Sequence, residues 1–390
     1  MKHLIIRNFG PIEEVDINIK RVNLIIGPQS SGKSCVLKIA CYCDWVERQI
    51  EITQDPDRFC SPSSFVGNLI GFHKLDGYMK PDSYIMYEND AVSFEYSEKT
   101  KKCNFKWKKA SRWNYKRVKI AYIPSERNLV AAIPNWFQVS MKKDNILDFM
   151  QEWEFARKSF SKGEKILDLP VVYKYNPMNQ ADSIELADGK ELELTVTSSG
   201  LQSLTPLYIM LRYLTTEFYK EEHTTVEQMM FRENLAKTVG EECSDLPLEK
   251  QLEIVDRILK PHHTDLFIEE PEAHIFPSTQ KSFVYSLVNM LNGKVKHTCF
   301  LATHSPYVMT SFNNLIFAGE VAAVSKENET FVKARFPKRS MLKYKDVAAF
   351  EMRNGRAYSI MDDECHLISA EAIDSASQEI GGDFDYLLNL

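Results

Sequence analysis

The stretch from Val22 to Ser34, VNLIIGPQSSGKS, constrains the fold of this chain more than any other, because it reads as an apolar strand running into a glycine-rich loop and then a helix. The loop fills every position of the phosphate-binding pattern G-x-x-x-x-G-K-[ST], with Gly27 and Gly32 as the glycines, Lys33 as the lysine and Ser34 as the hydroxyl residue. Gly27 lets the chain turn off the strand, and Gly32 lets backbone N–H groups approach phosphate oxygens with no side chain between. The helix that follows points its N-terminus at the anion. Lys33 is expected to neutralise the β- and γ-phosphates of a nucleoside triphosphate, and Ser34 to take one place on a Mg2+ ion, which prefers oxygen ligands. Gly27, Pro28, Gln29, Ser30, Ser31, Gly32, Lys33 and Ser34 are therefore the expected nucleotide-binding set.

The 390 residues suffice for one large α/β domain or two smaller ones. A net charge of -6, with 44% apolar and 26% charged residues, is ordinary for a soluble protein and does not by itself point to nucleic acid. No run of about eighteen apolar residues occurs, and Arg7 interrupts the apolar start too early for a signal-peptide core. A cytoplasmic protein without a membrane partner is expected. The cysteines are scattered, and Cys41 and Cys43 fall on the loop helix, which favours reduced, buried thiols over a disulfide framework or a zinc site.

Ahead of the loop strand, Leu4 and Ile6, then Val15, Ile17 and Ile19, alternate with polar residues around Gly10-Pro11, the pattern of a hairpin. The loop helix is expected from Lys33 to about Gln49. Short alternating strands from Tyr84 to Trp107 turn at Glu88-Asn89-Asp90 and Glu98-Lys99-Thr100, so a β-rich insertion is expected over about 50–117. Lys101, Lys102, Lys106, Lys108, Lys109, Arg112, Lys116, Arg117 and Lys119 interleave there with Phe105, Trp107, Trp113 and Tyr115. Such a surface suits phosphate backbones and base stacking, with nucleic acid as the partner, and it equally describes a solvated edge strand guarded against aggregation. Further on, Glu221 to Pro261 is polar with Leu248, Leu252, Val255 and Leu259 on one stripe, giving a helical insertion over about 218–262. Asn354-Gly355 reads as a hairpin turn and Ala370 to Leu388 as a closing helix.

Three more apolar strands deliver polar residues to their carboxyl ends, where parallel sheets bind ligands. Val118 to Ile123 runs into Pro124-Ser125-Glu126-Arg127-Asn128, and Asp265 to Ile268 into Glu269-Glu270-Pro271-Glu272-Ala273-His274. His297 to Ala302 runs into Thr303-His304-Ser305. Glu269 is the natural carboxylate beside Mg2+, and Glu270 can polarise an attacking water. His304 can hydrogen-bond that water or the γ-phosphate. His262 and His263 read as loop residues.

In this order, GPQSSGKS at 27–34, TSSGLQS at 197–203, FIEEPEAHIFP at 267–277 and ATHSP at 302–306 resemble the ABC-class P-loop ATPases. The resemblance is to the chromosome-maintenance, recombination-repair and OLD (overcoming lysogenization defect) branch, often labelled AAA family ATPase. It covers most of the chain and implies an α/β P-loop NTPase fold with an ABC-ATPase-type mixed sheet, a β-rich insertion and a helical lobe, as one domain over 1–390. It implies Lys33, Glu270 and His304 as catalytic residues, and Ser34 and Glu269 on Mg2+. Ser199 and Gly200 would contact the γ-phosphate held by a second subunit, and Ala273-His274 would start the loop that crosses the interface. Ser125 or Glu126 stands where the family places its metal-sensing loop, although the usual glutamine is absent. No TOPRIM nuclease pattern follows His304, and Asp362-Asp363-Glu364 reads as a turn. The protein expected from the resemblance is an ATP-hydrolysing, Mg2+-dependent switch, homodimeric through an ATP sandwich, with a separate effector protein in bacterial nucleic-acid metabolism or anti-phage defence. An ATP-sensing regulator with little turnover and a transporter ATPase subunit are the alternatives.

Overall fold

The computed structural model describes residues 2–133, 135–136, 139–220, 226–336 and 339–369. Strands β1 (Lys2–Phe9) and β2 (Ile12–Ile19) pair antiparallel around Gly10, whose positive φ of 52° closes the expected hairpin. Strand β3 (Val22–Ile26) is buried at every position, as a strand covered on both faces must be. Helix α1 (Lys33–Thr53) runs one turn past its expected end near Gln49 and stops where Gln54 turns left-handed, φ 57°.

Residues 50–117 open with helices, α2 (Asp57–Cys60) and α3 (Pro62–His73), ahead of any strand. The strands that follow, β4 (Met79–Glu88), β5 (Val92–Ser97) and β6 (Lys102–Trp107), extend the main sheet, because β4 pairs antiparallel with β1. The chain then crosses to the opposite edge of that sheet as β7 (Val118–Ile123), followed by α4 (Leu129–Ala132) and α5 (Asn145–Lys158). A small antiparallel sheet comes next, built from β8 (Glu164–Lys165), β9 (Val171–Asn176), β10 (Ala181–Leu186) and β11 (Glu191–Glu193). Helices α6 (Ser199–Thr215), α7 (Val226–Glu242) and α8 (Leu248–Leu259) lead to β12 (His263–Glu269). His263 is thus the first residue of a strand and not a loop residue. The remainder is α9 (Pro277–Leu291), β13 (Thr298–Thr303), α10 (Pro306–Val324), α11 (Lys326–Arg335), and the hairpin of β14 (Val347–Arg353) and β15 (Arg356–Ser359).

The result is a mixed α/β fold whose main sheet has eleven strands in the order β6-β5-β4-β1-β2-β15-β14-β3-β13-β12-β7. Its last five are mutually parallel. Alternation along the central strands separates two cores. Val22, Leu24, Leu266, Ile268, Cys299 and Leu301 face one side with α5, α6, α9 and α10; Ile25, Phe267, Phe300 and Ala302 face the other with α1 and α3. Asp362 caps a turn by accepting from the N–H groups of Glu364 and Cys365, both at 2.9 Å. The expected closing helix, Ala370 to Leu388, lies outside the described residues. Among the described residues no helix is long and apolar enough to cross a membrane.

Candidate nucleotide-binding and hydrolytic site

The parallel register fixes where the polar strand ends meet. Ile26 pairs with Thr303, Ala302 with Glu269, and Ile268 with Ile123. The loop after β3, the acids after β12, His304 after β13 and Ser125 after β7 consequently stand along one edge of the sheet.

The loop from Gly27 to Gly32 is held tightly against that edge. A Cβ on Gly27 would lie 2.7 Å from the Met352 carbonyl of β14, so only glycine fits there. Gly32 takes φ 103° to start α1 and offers no side-chain cap, leaving the helix N-terminus open to an anion. Ser31 Oγ is buried without a hydrogen-bond partner, whereas Pro28, Gln29 and Ser30 are exposed. A buried hydroxyl aimed into a glycine cradle at a helix N-terminus fits a phosphate group. Lys33 donates to the carbonyls of Gly27 at 2.8 Å and Pro28 at 2.7 Å. Burial lowers its pKa to about 8, against the opposing pull of Glu270 and Glu272.

His304 joins Lys33 to the acids. Its Nδ1 lies 3.3 Å from Lys33 Nζ, and Nε2 lies 3.8 Å from Glu270 Oε1. With the ammonium as donor, Nδ1 accepts from Lys33 and Nε2 faces the Glu270 carboxylate. The ring is positioned through its own backbone, since His304 N–H donates to Glu272 Oε1 at 2.6 Å. Glu272 Oε2 is buried and unpartnered.

Glu269 and Glu270 are adjacent in sequence and differ in environment. Glu269 is 4% exposed and accepts from the Tyr122 hydroxyl, with Ser125 N–H at 3.4 Å and Ser125 Oγ at 3.5 Å on its other oxygen. Burial and that carboxylate push the Tyr122 hydroxyl well above its ordinary pKa, so it stays a donor. Glu270 adopts φ 41°, which turns its side chain off the strand line, and that side chain is 41% exposed. Ser34 sits half-buried in the first turn of α1, and among the described residues no hydrogen bond joins it to Glu269. Nor do the described residues hold a group of three or more His, Cys, Asp or Glu that could grip a metal alone. One hydroxyl and one carboxylate nevertheless suit Mg2+ bound with phosphate oxygens, because Mg2+ keeps several waters.

At the neighbouring α6, Ser198 caps the helix by accepting from Leu201 N–H at 3.4 Å. Ser199 is exposed in the first turn, and a Cβ on Gly200 would come within 3.0 Å of the His274 carbonyl. The TSSG loop and the Ala273-His274 loop therefore touch within one chain. Phe276, just beyond, is 74% exposed.

Two residues of this edge, Tyr122 and Arg127, belong to none of the four motif stretches, and Glu272, inside FIEEPEAHIFP, has no role assigned to it by the sequence. The Arg127 guanidinium is fully buried and, among the described residues, donates only to backbone carbonyls. Its one visible signal is its place two residues after Ser125, at a strand's carboxyl end.

No family model matches the chain, and no curated protein matches it. Among solved structures it is similar to an SMC head domain from Thermotoga maritima, at 12% identity and TM-score 0.39 over 92% of this chain and 97% of that one. It is similar also to the ADP conformation of an ATP-binding cassette of an ABC transporter, at 11% identity and TM-score 0.33 over 94% and 93%. A third is the recombination mediator protein RecF, at 12% identity and TM-score 0.31 over 92% and 97%. All three likenesses are remote and assign no role to any residue here.

Proposed function

We propose that this protein is an ABC-class ATPase that binds ATP with Mg2+ at the edge formed by β3, β12 and β13 and hydrolyses it in a dimer. The observation that carries the reading is the chain of contacts Lys33 to His304 at 3.3 Å and His304 to Glu270 at 3.8 Å, beside a glycine cradle containing an unpartnered buried hydroxyl. Bound ATP with Mg2+ supplies a phosphorus centre open to attack by water. Lys33 exchanges its loop carbonyls for phosphate oxygens, a stronger charge-assisted contact. Ser34 and Glu269 provide the oxygen ligands for the metal, with Tyr122 and Ser125 orienting the Glu269 carboxylate. Glu270 takes a proton from water, and His304 holds its Nε2 proton toward that carboxylate or the γ-phosphate.

Completion of the site by a second copy is supported by the exposed Ser199 at a helix N-terminus and by exposed Phe276 beside the His274 loop. The resemblance extends the reading to a single ATPase domain that acts on a separate effector, in nucleic-acid metabolism or defence against phage.

The experiment mixes a Lys33→Ala protein with a Ser199→Arg protein. A heterodimer contains one composite site with both halves intact, so turnover should reappear in the mixture although neither variant is active alone. Full turnover by Ser199→Arg alone would overturn the assignment of that loop, and a dead mixture of proven heterodimers would overturn completion in trans.

A further inference from the structure

The most heavily bonded charged group near the site belongs to no step of the reaction. Arg127 is 0% exposed, in the turn after β7. Its Nη2 donates to Glu270 O at 2.8 Å, and its Nη1 to Glu269 O at 2.9 Å and Pro124 O at 3.3 Å. Its Nε donates to Ser203 O in α6, also at 3.3 Å. One planar fork thereby joins the end of β7, the end of β12 and the start of the helix that carries Ser199. Burying a guanidinium is costly without compensation. Burial lowers its pKa to about 10, opposed by Glu272, Glu270, Glu269 and Glu126, and the group stays charged at neutral pH.

The backbone it grips is in a conformation that needs support. Glu270 is a non-glycine residue at φ 41°, a region that persists only where surroundings over-determine it. Its N–H is fixed by Ala302 O at 2.8 Å, and its carbonyl accepts from Arg127 Nη2 at 2.8 Å and from Ala273 N–H at 3.0 Å. Without Arg127 the carbonyl keeps only the Ala273 N–H, a contact within its own turn, so nothing ties that turn to β7 and α6 and the carboxylate can swing away from His304. Lysine cannot replace the fork, because a single ammonium cannot present donors in three fixed directions across one plane.

We propose that Arg127 is a positioning residue that holds the Glu270 carboxylate in its hydrolytic orientation and ties it to the first turns of α6. The inference rests on Glu270 being the residue that takes the proton. A contact of Ser199 with a partner's nucleotide would then be felt at this chain's own Glu270 through one rigid bridge.

The test is a double-mutant cycle of Arg127→Lys and Arg127→Met with Glu270→Gln, read as ATP turnover and ATP affinity. In the native background both Arg127 variants should lower kcat by roughly thirtyfold or more while the Kd for ATP moves less than about threefold. In the Glu270→Gln background the same changes should cost less than about threefold more, because the group they position is already disabled. Equal losses in both backgrounds would overturn the proposal in favour of a merely structural arginine, as would native kcat in Arg127→Lys. Thermal melting identifies a variant that fails to fold, and Arg127→Lys, which keeps the charge, then carries the cycle. Full turnover by Glu270→Gln alone sinks the underlying assignment instead and leaves a separate signature.

Discussion

The two ends of β12 carry two ionic clusters of opposite design. At the amino end, Lys2 Nζ reaches Asp44 at 2.8 Å and Asp265 at 2.9 Å, His263 lies 3.1 Å from Asp265, and the Tyr87 hydroxyl donates to Asp44 at 2.9 Å. Asp44 and Asp265 are buried; both Asp265 oxygens are taken, by Lys2, His263 and Thr298, and Asp44 Oδ1 accepts from both Lys2 and Tyr87. At the carboxyl end Glu270 and His304 remain partly open at 3.8 Å, Glu272 Oε2 has no partner, and Lys33 rests on neutral carbonyls. A cluster whose charges satisfy one another fixes the fold, whereas one with hydrogen-bonding capacity left over can meet a ligand. The same strand does both because its two ends face different things, a polar seam under α1 and the edge from which the glycine-rich loop after β3 springs.

The sharpest way to break the comparison is to change one group at the open end. Glu270→Gln removes the proton acceptor while keeping the shape and the backbone contacts to Arg127 and Ala302. Turnover should fall by roughly a hundredfold or more, the scale of a lost general base, with ATP binding and the denaturation midpoint close to native. Unchanged turnover would show that another residue positions the water.

The open end was also the more legible one. Its main parts are contiguous motifs, Gly27 to Ser34 and Glu269-Glu270, or a lone polar residue at the end of an apolar run, as with His304; adjacent parallel strands bring such ends together. Tyr122, Arg127 and Glu272 act through partners far away in sequence, such as the pairing of Tyr122 with Glu269, a separation of 147, and local pattern carries no trace of that. The closed end was illegible for the same reason. Lys2 and Asp265 are 263 positions apart and meet although β15, β14, β3 and β13 lie between the N-terminal hairpin and β12 in the sheet, a contact no short stretch encodes. Strand pairing likewise explains why β4 to β6 continue the main sheet: β4 docks on the outer edge of β1, a choice set by long-range burial of Ile85 and Tyr87 and not by their own alternation.

At the closed end the expected effect is on stability and not on chemistry. Lys2→Met leaves Asp44 and Asp265 without their ammonium, but the lysine side chain is 26% exposed, and burial already pushes Asp44 up to about 7, so the acids can take protons. The variant should be less stable by about 2 kcal/mol, below the full cost of an orphaned buried charge. The sign of its pH dependence follows from the partners. Asp265 is held well below its ordinary 3.8 by Lys2 and His263 in spite of burial, so its contribution exists above that value and fades as pH falls through it. Lys2 is raised above 10.5 by Asp265 and Asp44, again against burial, so its contribution exists below that value. The difference between native and variant should therefore be present from about pH 5 to 9 and shrink below about pH 4, measured by denaturant midpoints. A difference that grew in acid would contradict the network, and a drop in kcat at saturating ATP would show that the two ends of β12 are not independent.

The smallest effect is expected at the basic stretch, which tests whether the same rule reaches the surface. Four of its nine cationic side chains pair with acids within the chain: Lys108 with Glu88 at 3.1 Å, Lys119 with Glu152 at 2.5 Å, Arg112 with Glu242 at 2.9 Å, and Lys101 with Glu98. Arg117 is buried with a bond to Leu259 O at 2.9 Å, and Arg112 also lies over the rings of Trp107 and Trp113. Phe105 and Trp107, which would have to stack on bases, pack edge to face on each other 5.0 Å apart. Lys102 and Lys106, exposed on the outermost strand β6, are placed as edge strands commonly place lysines, where they discourage pairing with another sheet. Replacing both with glutamine should change the affinity for a single-stranded oligonucleotide by less than about threefold and leave its salt slope unchanged, since every phosphate that a lysine neutralises adds nearly one unit to that slope. The variant should instead self-associate more readily at high concentration, detectable by light scattering. A salt slope shallower by about two units would reverse the conclusion and make β6 a nucleic-acid contact, a charged surface left open like the carboxyl end of β12.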